Sequence, residues 1–245
     1  MAPKSKKIKI AAFGDIHIKS TDENNYKDLF KEISIHSDIL ILCGDLTDTG
    51  SVTEAQILAN ELTSCTVPVV AVLGNHDYEQ DQQEEIKTIL RSQYTFILDG
   101  ESTVIKDIGF VGIKGFGGGF GSHMLSSWGE SQVKAFVQET VDESLKLDSS
   151  LARLNTKHKI VILHYAPISD TVQGESEQIY PFLGCSRLIE PINRREATAV
   201  FHGHAHNGTL QGKTSTDIPV FNVARHLLFK NGYNKGYYIY EIENS

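Results

Sequence analysis

The chain has 245 residues, a formal net charge of −8, and 40% hydrophobic and 22% charged residues. That length can bury the core of a single domain, and the composition is that of a globular protein. An acidic surface repels polyanions, which argues against general, sequence-independent binding to DNA or RNA.

The N-terminus is basic, Met1 to Lys7, and a short apolar run follows at 8–13. Lys9 breaks that run and Gly14-Asp15 ends it, so it is too short for the apolar region of a signal peptide. No stretch approaches the ~20 apolar residues of a membrane span. Cys43, Cys65 and Cys185 are far apart, odd in number and without a CxxC pair, which reads as reduced usage. A cytoplasmic protein with no membrane contact is therefore expected.

In chain order, 8–13, 39–43 and 67–73 are β-branched apolar runs that read as buried strands. Amphipathic stretches at 24–36 and 53–65 lie between them as helices, the second opened by a capping box of Ser51 and Glu54. This alternation predicts parallel strands with crossover helices. Short strands follow at 95–98, 103–106 and 110–113, with turns between. A glycine-rich loop occupies 115–121, and a long helix spans about 130–154. The last third holds strands at 159–163, 197–201, 209–212, 219–223 and 236–242, with a short helix at 186–195. So many strands need two mixed sheets packed together with helices outside. No linker divides the chain, so 1–245 reads as one domain.

Five of the apolar strands run directly into small polar clusters. These are Gly14-Asp15-Ile16-His17, Gly44-Asp45-Leu46-Thr47-Asp48, Gly74-Asn75-His76-Asp77, His164, and His202-Gly203-His204-Ala205-His206. Sites in sheets with crossover helices form at the carboxyl ends of strands, where loops converge. Gly14, Gly44, Gly74 and Gly203 would each permit a sharp turn there. Adjacent strands would thus collect two Asp, one Asn and four His in one place. Imidazole, carboxylate and amide oxygen without thiolate suit Mn, Fe, Zn, Co or Ni. Seven such groups exceed the four of a closed zinc site and match two metals sharing a carboxylate. Paired metals clamp the attacking and leaving oxygens of a phosphoryl displacement. Two divalent ions also outweigh two aspartates, so the site would attract an anionic phosphate on an acidic protein.

Taken singly, each cluster has an ordinary reading. Asp-x-His and Gly-Asp-x-x-Asp are common as turns or helix caps, and a lone strand-end His164 is common without a metal. Alternating histidines at 204 and 206 rarely serve packing. The five clusters in this order argue against coincidence.

Together they resemble the calcineurin-like metallophosphoesterase superfamily and its small bacterial-type phosphodiesterase and phosphatase branch. Its blocks D-x-H, G-D-x-x-D, G-N-H-[DE], H and G-H-x-H stand here between residues 15 and 206. The resemblance implies a four-layer α/β/β/α sandwich. It implies one metal on Asp15, His17, Asp45 and His206, and a second on Asp45, Asn75, His164 and His204. Asp45 would bridge them with a water or hydroxide that attacks phosphorus in line. Mn²⁺ is the first expectation for the pair. His76 would protonate the leaving oxygen or bind the phosphate, Asp77 would orient His76, and Asp48 would fix the loop or the Asp45 and His17 side chains. Protein phosphatases of this superfamily carry Arg after the second-block Asp, whereas Thr49 follows Asp48 here, and Asp77 stands where they favour Glu. A small phosphorylated substrate, diester or monoester, is therefore expected. A scaffold without catalysis and a nuclease are the alternatives, the first disfavoured by the complete ligand set and the second by the acidic charge. The glycine-rich loop reads as a flexible surface loop or as a lid with His123 and Trp128 at its base. Phe116, Tyr180 and Phe182 are candidates to stack a base or sugar, or simply to pack. His202 reads as a support for the ligands or as a strand residue, and nothing in the sequence sets the oligomeric state.

Overall fold

The structure, a computed structural model, describes residues 6–91 and 94–244. Its first half lays down strands β1 (Lys6–Phe13), β2 (Ile39–Cys43), β3 (Val69–Val72) and β4 (Thr95–Ile97). Helices α1 (Lys27–His36), α2 (Val52–Leu62) and α3 (Gln83–Leu90) connect them. Every side chain of β2 and β3 is buried, as expected for inner parallel strands covered on both faces. The capping box is present: the Ser51 hydroxyl accepts from the Glu54 amide, and the Glu54 carboxylate accepts from the Ser51 amide.

The second half holds β5 (Ser102–Ile105), β6 (Ile108–Gly112), α4 (Ser131–Ala152) and β7 (His158–Ile162). After these come α5 (Tyr180–Leu183), α6 (Ile189–Arg194), β8 (Ala199–His202), β9 (Gln211–Lys213), β10 (Pro219–Asn222), α7 (Arg225–Lys230) and β11 (Tyr238–Asn244). The strands form two mixed sheets, ordered β11-β1-β2-β3-β4 and β5-β6-β7-β8-β10-β9. In each sheet the central strands are parallel, and antiparallel partners close the ends, apart from parallel β4.

Alternation along the strands fixes the layers. Ile160 and Ile162 of β7 join the core shared with the first sheet, while Val161 joins Leu147 and Leu151 of α4 on the outer face. β2 faces β7 and β3 faces β6 across the interior. Helices α1, α2 and α3 cover the outside of the first sheet, and α4 and α6 that of the second. This is the expected α/β/β/α sandwich.

Several element bounds differ from the sequence reading. Helix α1 begins at Lys27 and not at 24, because the Asn24 and Tyr26 amides donate to the buried Glu61 carboxylate of α2 and not into a helical turn. Helix α3 adds an element to those that the sequence pattern predicts. Its apolar stripe is short, Ile86 and Leu90, and packs against α2 and β4. The glycine-rich loop is not a free surface loop. Gly118 and Gly119 donate to the carbonyls of Pro181 and Gly184, and the Thr140 hydroxyl of α4 donates to Gly117.

Candidate metal centre

The carboxyl ends of β1, β2 and β3 meet those of β7 and β8 at one end of the sandwich. Asp15 and His17 follow β1, Asp45 follows β2, and Asn75 and His76 follow β3. His164 follows β7, and His204 and His206 follow β8.

The turns there are unusual. Asp15, His17, Asp45 and His204 all have left-handed backbone, with φ of 60°, 48° for Asp45, 47° for His17 and 69° for His204. Such conformations cost non-glycine residues energy and concentrate at functional sites. Of the four glycines expected to make the turns, only Gly44 is left-handed, at φ +84°. Gly74 and Gly203 serve by having no side chain. A Cβ at Gly74 would lie 2.2 Å from Asp45 Oδ1, and one at Gly203 would lie 2.4 Å from Asp15 Oδ2. The chain thus bends at the ligands and thins beside them.

Hydrogen bonds set the tautomers. His164 Nδ1 lies 2.9 Å from the Cys43 carbonyl, which can only accept, so Nδ1 carries the proton and Nε2 the lone pair. That lone pair faces Asn75 Oδ1 at 2.9 Å and Asp45 Oδ1 at 3.4 Å. With Asp45 ionised, three acceptors converge here, an arrangement that a cation satisfies. His204 Nε2 likewise lies 3.1 Å from the Phe182 carbonyl, which leaves its Nδ1 as the ligand atom. His17 Nε2 is buried without a hydrogen-bond partner, 3.7 Å from Asp45 Oδ2. His206 Nε2 is 2.9 Å from Asp15 Oδ1.

Three donor sets emerge: Asp15, His17 and His206; His17, Asp45 and His76; and Asp45, His164 and His204. Within each, one ligand atom per residue lies within 4.8 Å of the others. The first set holds three of the four residues that the resemblance assigns to one metal and the third holds three of the four assigned to the other, while the middle set shares His17 with the first and Asp45 with the third. Orphaned Nε2 of His17 and the acceptor triad at His164 show that these residues fit divalent cations.

Electrostatics point the same way. Burial, with the charges of Asp15 and Asp77 added, pushes the Asp45 carboxyl well above the ordinary carboxylate range. Burial would also raise Asp15, but the His206 hydrogen bond and the nearby imidazoles bring it down to about 2. Burial lowers His17, His164 and His204, keeping them as neutral imidazoles suited to metal ligation, whereas the Asp15 hydrogen bond raises His206. The hydrogen bonds and ion pairs of these ligands, among the described residues, run to backbone, carboxylate, amide and imidazole groups and not to Arg or Lys.

His76 stands beside the centre, its ring 4.6 Å from that of His17. Its Nδ1 faces two acceptors, the Asp48 carbonyl at 2.8 Å and Glu79 Oε1 at 2.9 Å. The partner expected for it, Asp77, is elsewhere. The Asp77 carboxylate is fully buried and accepts from the amides of Leu46, Thr47 and Gly74 and from the Thr47 hydroxyl. Asp77 therefore ties the Asp45 loop to the Asn75 loop, and Glu79 takes the orienting position. The i, i+3 spacing of His76 and Glu79 on one turn was a readable signal for that pair. Asp48 Oδ1 lies 3.6 Å from His17 Nδ1, as a support for His17 would. His202 is buried against the Thr171 hydroxyl and the Gly203 carbonyl, and burial takes it down to about 4. Phe116 packs on Phe136 and Tyr165. The carbonyls of Cys43 and Phe182, which hold two imidazoles, carry no side-chain signal that a sequence could show.

Fold and donor set define a class: two-sheet sandwich hydrolases whose metals sit at the strand ends. The sequence profile described as calcineurin-like phosphoesterase matches residues 8–208, and the chain belongs to that family. It is similar to a probable cyclic nucleotide phosphodiesterase of Vesicomyosocius okutanii, with 25% identity over 74% of this chain and 68% of the relative. Purple acid phosphatase 4 of Arabidopsis thaliana is 28% identical over 62% of the chain, which spans only 44% of that protein. The crystal structure of phosphopantetheinyl hydrolase from Mycobacterium tuberculosis shares the fold, with a TM-score of 0.70 over 98% of each chain at 12% identity. The chain is thus a metal-dependent phosphoester hydrolase, and membership implies divalent metals. No helix among the described residues is long and apolar enough to cross a membrane.

Proposed function

We propose that the protein hydrolyses a small phosphorylated molecule with two divalent cations, one on Asp15, His17, Asp45 and His206 and one on Asp45, Asn75, His164 and His204. The observation that carries this reading is the pair of outer donor sets, joined by a middle set that shares His17 with one and Asp45 with the other. Bound cations would supply Lewis-acid polarisation of a phosphoryl oxygen and would depress the pKa of water toward neutrality. The protein's own groups do the rest. Asp45 fixes the spacing of the two halves, and its Oδ1 also accepts from the His76 amide at 2.9 Å. Asp48 and Glu79 anchor Nδ1 of His76 and so aim Nε2 at the leaving oxygen, to which it delivers a proton. Asp77 holds two ligand loops in register.

Diester substrates fit better than monoesters, because a dianionic monoester gains most from Arg or Lys clamps and the ligand shell has none among the described residues. The probable cyclic nucleotide phosphodiesterase among the relatives supports the same choice. Mn²⁺ leads the candidate metals on donor chemistry, with Fe, Zn, Co and Ni behind it. The free Cys43, Cys65 and Cys185 support a cytoplasmic location. The test is turnover of bis-p-nitrophenyl phosphate and p-nitrophenyl phosphate by Mn²⁺-loaded protein. Faster hydrolysis of the diester is expected. Loaded protein that turns over neither would instead support a scaffold role.

A further inference from the structure

A cavity of about 520 Å³ lies outside the metal centre, between the glycine-rich loop and the segment leading into α5. Its size is that of a small-molecule site. Phe120 and Tyr180 supply its aromatic surface, meeting edge to face with ring centroids 6.2 Å apart. Ser122, His123, Ser169 and Glu177 supply its polar side chains, and Glu177 is the carboxylate among the residues that line it.

The cavity adjoins the metal ligands. Pro181 on its wall immediately precedes Phe182, whose carbonyl lies 3.1 Å from His204 Nε2. Ser169 follows five residues after His164 on the loop leaving β7. A substrate whose phosphate sits at the metals could place its far end here.

The surroundings are apolar as well. Leu125, Trp128, Ile179 and Phe182 are among the exposed large hydrophobic residues, and they lie on or just beyond the two segments that bound the cavity. The walls are not loose. Gly118 and Gly119 are hydrogen-bonded to Pro181 and Gly184, so the two segments are held against each other before anything binds.

We infer that this cavity receives the base of a nucleotide ester, with Tyr180 and Phe120 contacting the ring and Glu177 selecting guanine. The inference rests on the phosphoesterase reading above and names its substrate class. Aromatic side chains stack on any base. The carboxylate discriminates among bases. Guanine presents N1–H and the N2 amino group side by side, two donors matched to two carboxylate oxygens, and such charge-assisted paired bonds are strong. Adenine presents one amino donor beside a ring acceptor that a carboxylate repels.

Two measurements on the full chain test this. The first is calorimetric titration with guanosine and with adenosine, which carry no phosphate and so report on the cavity apart from catalysis. Saturable binding of guanosine, tighter than that of adenosine, is expected. The second compares guanosine 5′-(p-nitrophenyl phosphate) with methyl p-nitrophenyl phosphate on Mn²⁺-loaded enzyme, two diesters with the same leaving group. The guanosine ester is expected to have a KM about tenfold lower or better, from the magnitude of base stacking. Tyr180→Ala should raise that KM about tenfold with little change in kcat, and Tyr180→Phe should restore it. Glu177→Gln should erase the preference for guanine over adenine. Equal KM for the two diesters, or a dodecyl p-nitrophenyl phosphate outperforming the guanosine ester, would overturn the assignment. If neither diester turns over, the phosphoesterase reading fails, and guanosine titration still decides the cavity.

Discussion

The two sheets contribute differently to the centre. The first supplies both carboxylates and the amide, Asp15, Asp45 and Asn75, together with the imidazoles of His17 and His76. The second supplies imidazoles only, His164, His204 and His206. Backbone strain follows the same division, since Asp15, His17 and Asp45 are left-handed on the first side and His204 alone on the second. The negative charge thus sits in two sharply bent loops, with Asp77 tying the Asp45 loop to the Asn75 loop, while the opposite sheet brings imidazoles. On the proposed two-cation reading, the first sheet would set where the cations go, and the second would complete their coordination.

That contrast can be broken by removing one ligand from each side. Asp45→Asn should lose about 10³-fold or more of the activity and loosen both cations, since it belongs to two of the three donor sets, one shared with His17 and one with His164 and His204. His164→Ala should release one cation and keep the other. Metal stoichiometry by mass spectrometry separates the two outcomes, and equal metal loss in both variants would sink the division between the sheets. Next in size is His76→Ala. It should retain metal and slow substrates with alkoxide leaving groups by about 10²–10⁴-fold, with a much smaller loss for p-nitrophenyl esters. A uniform loss across leaving groups would move His76 from proton donor to phosphate ligand.

Gly203→Ala sharpens the picture of ligands packed against bare backbone. The added Cβ meets Asp15 Oδ2 at 2.4 Å and the Cys43 carbonyl at 2.8 Å, so about 1–3 kcal/mol of stability should go, read by denaturant unfolding, together with metal affinity. Glu79→Gln, which keeps a partner for His76 but removes its charge, should cost about tenfold in kcat, at the low end of effects from groups that support a ligand or catalyst. The smallest effect belongs far from the centre. Ser51→Ala should cost about 1 kcal/mol through the lost cap of α2 and leave kcat unchanged.

Much of this was legible in the amino acids. Apolar runs ending in Asp, Asn and His marked the strands and their carboxyl ends, because a buried strand and its polar terminus differ in composition. Ser51 and Glu54 announced α2 for the same local reason. The Asn24 turn was not legible, because Glu61 captures its backbone amides from a distant helix. Nor was the fate of Asp77 legible, because adjacency to His76 in the chain suggested a contact that the turn directs away.

The sequence alone therefore determined which residue types stand at the strand ends, and with them the sandwich and the metal chemistry, since these depend on local pattern and on donor identity. Which atoms face one another was decided only by tertiary structure. The tautomers of His164 and His204 hang on the carbonyls of Cys43 and Phe182, and the anchoring of His76 on Glu79 and the Asp48 carbonyl. Backbone carbonyls are the same in every residue, so only the folded chain reveals which of them reaches an imidazole.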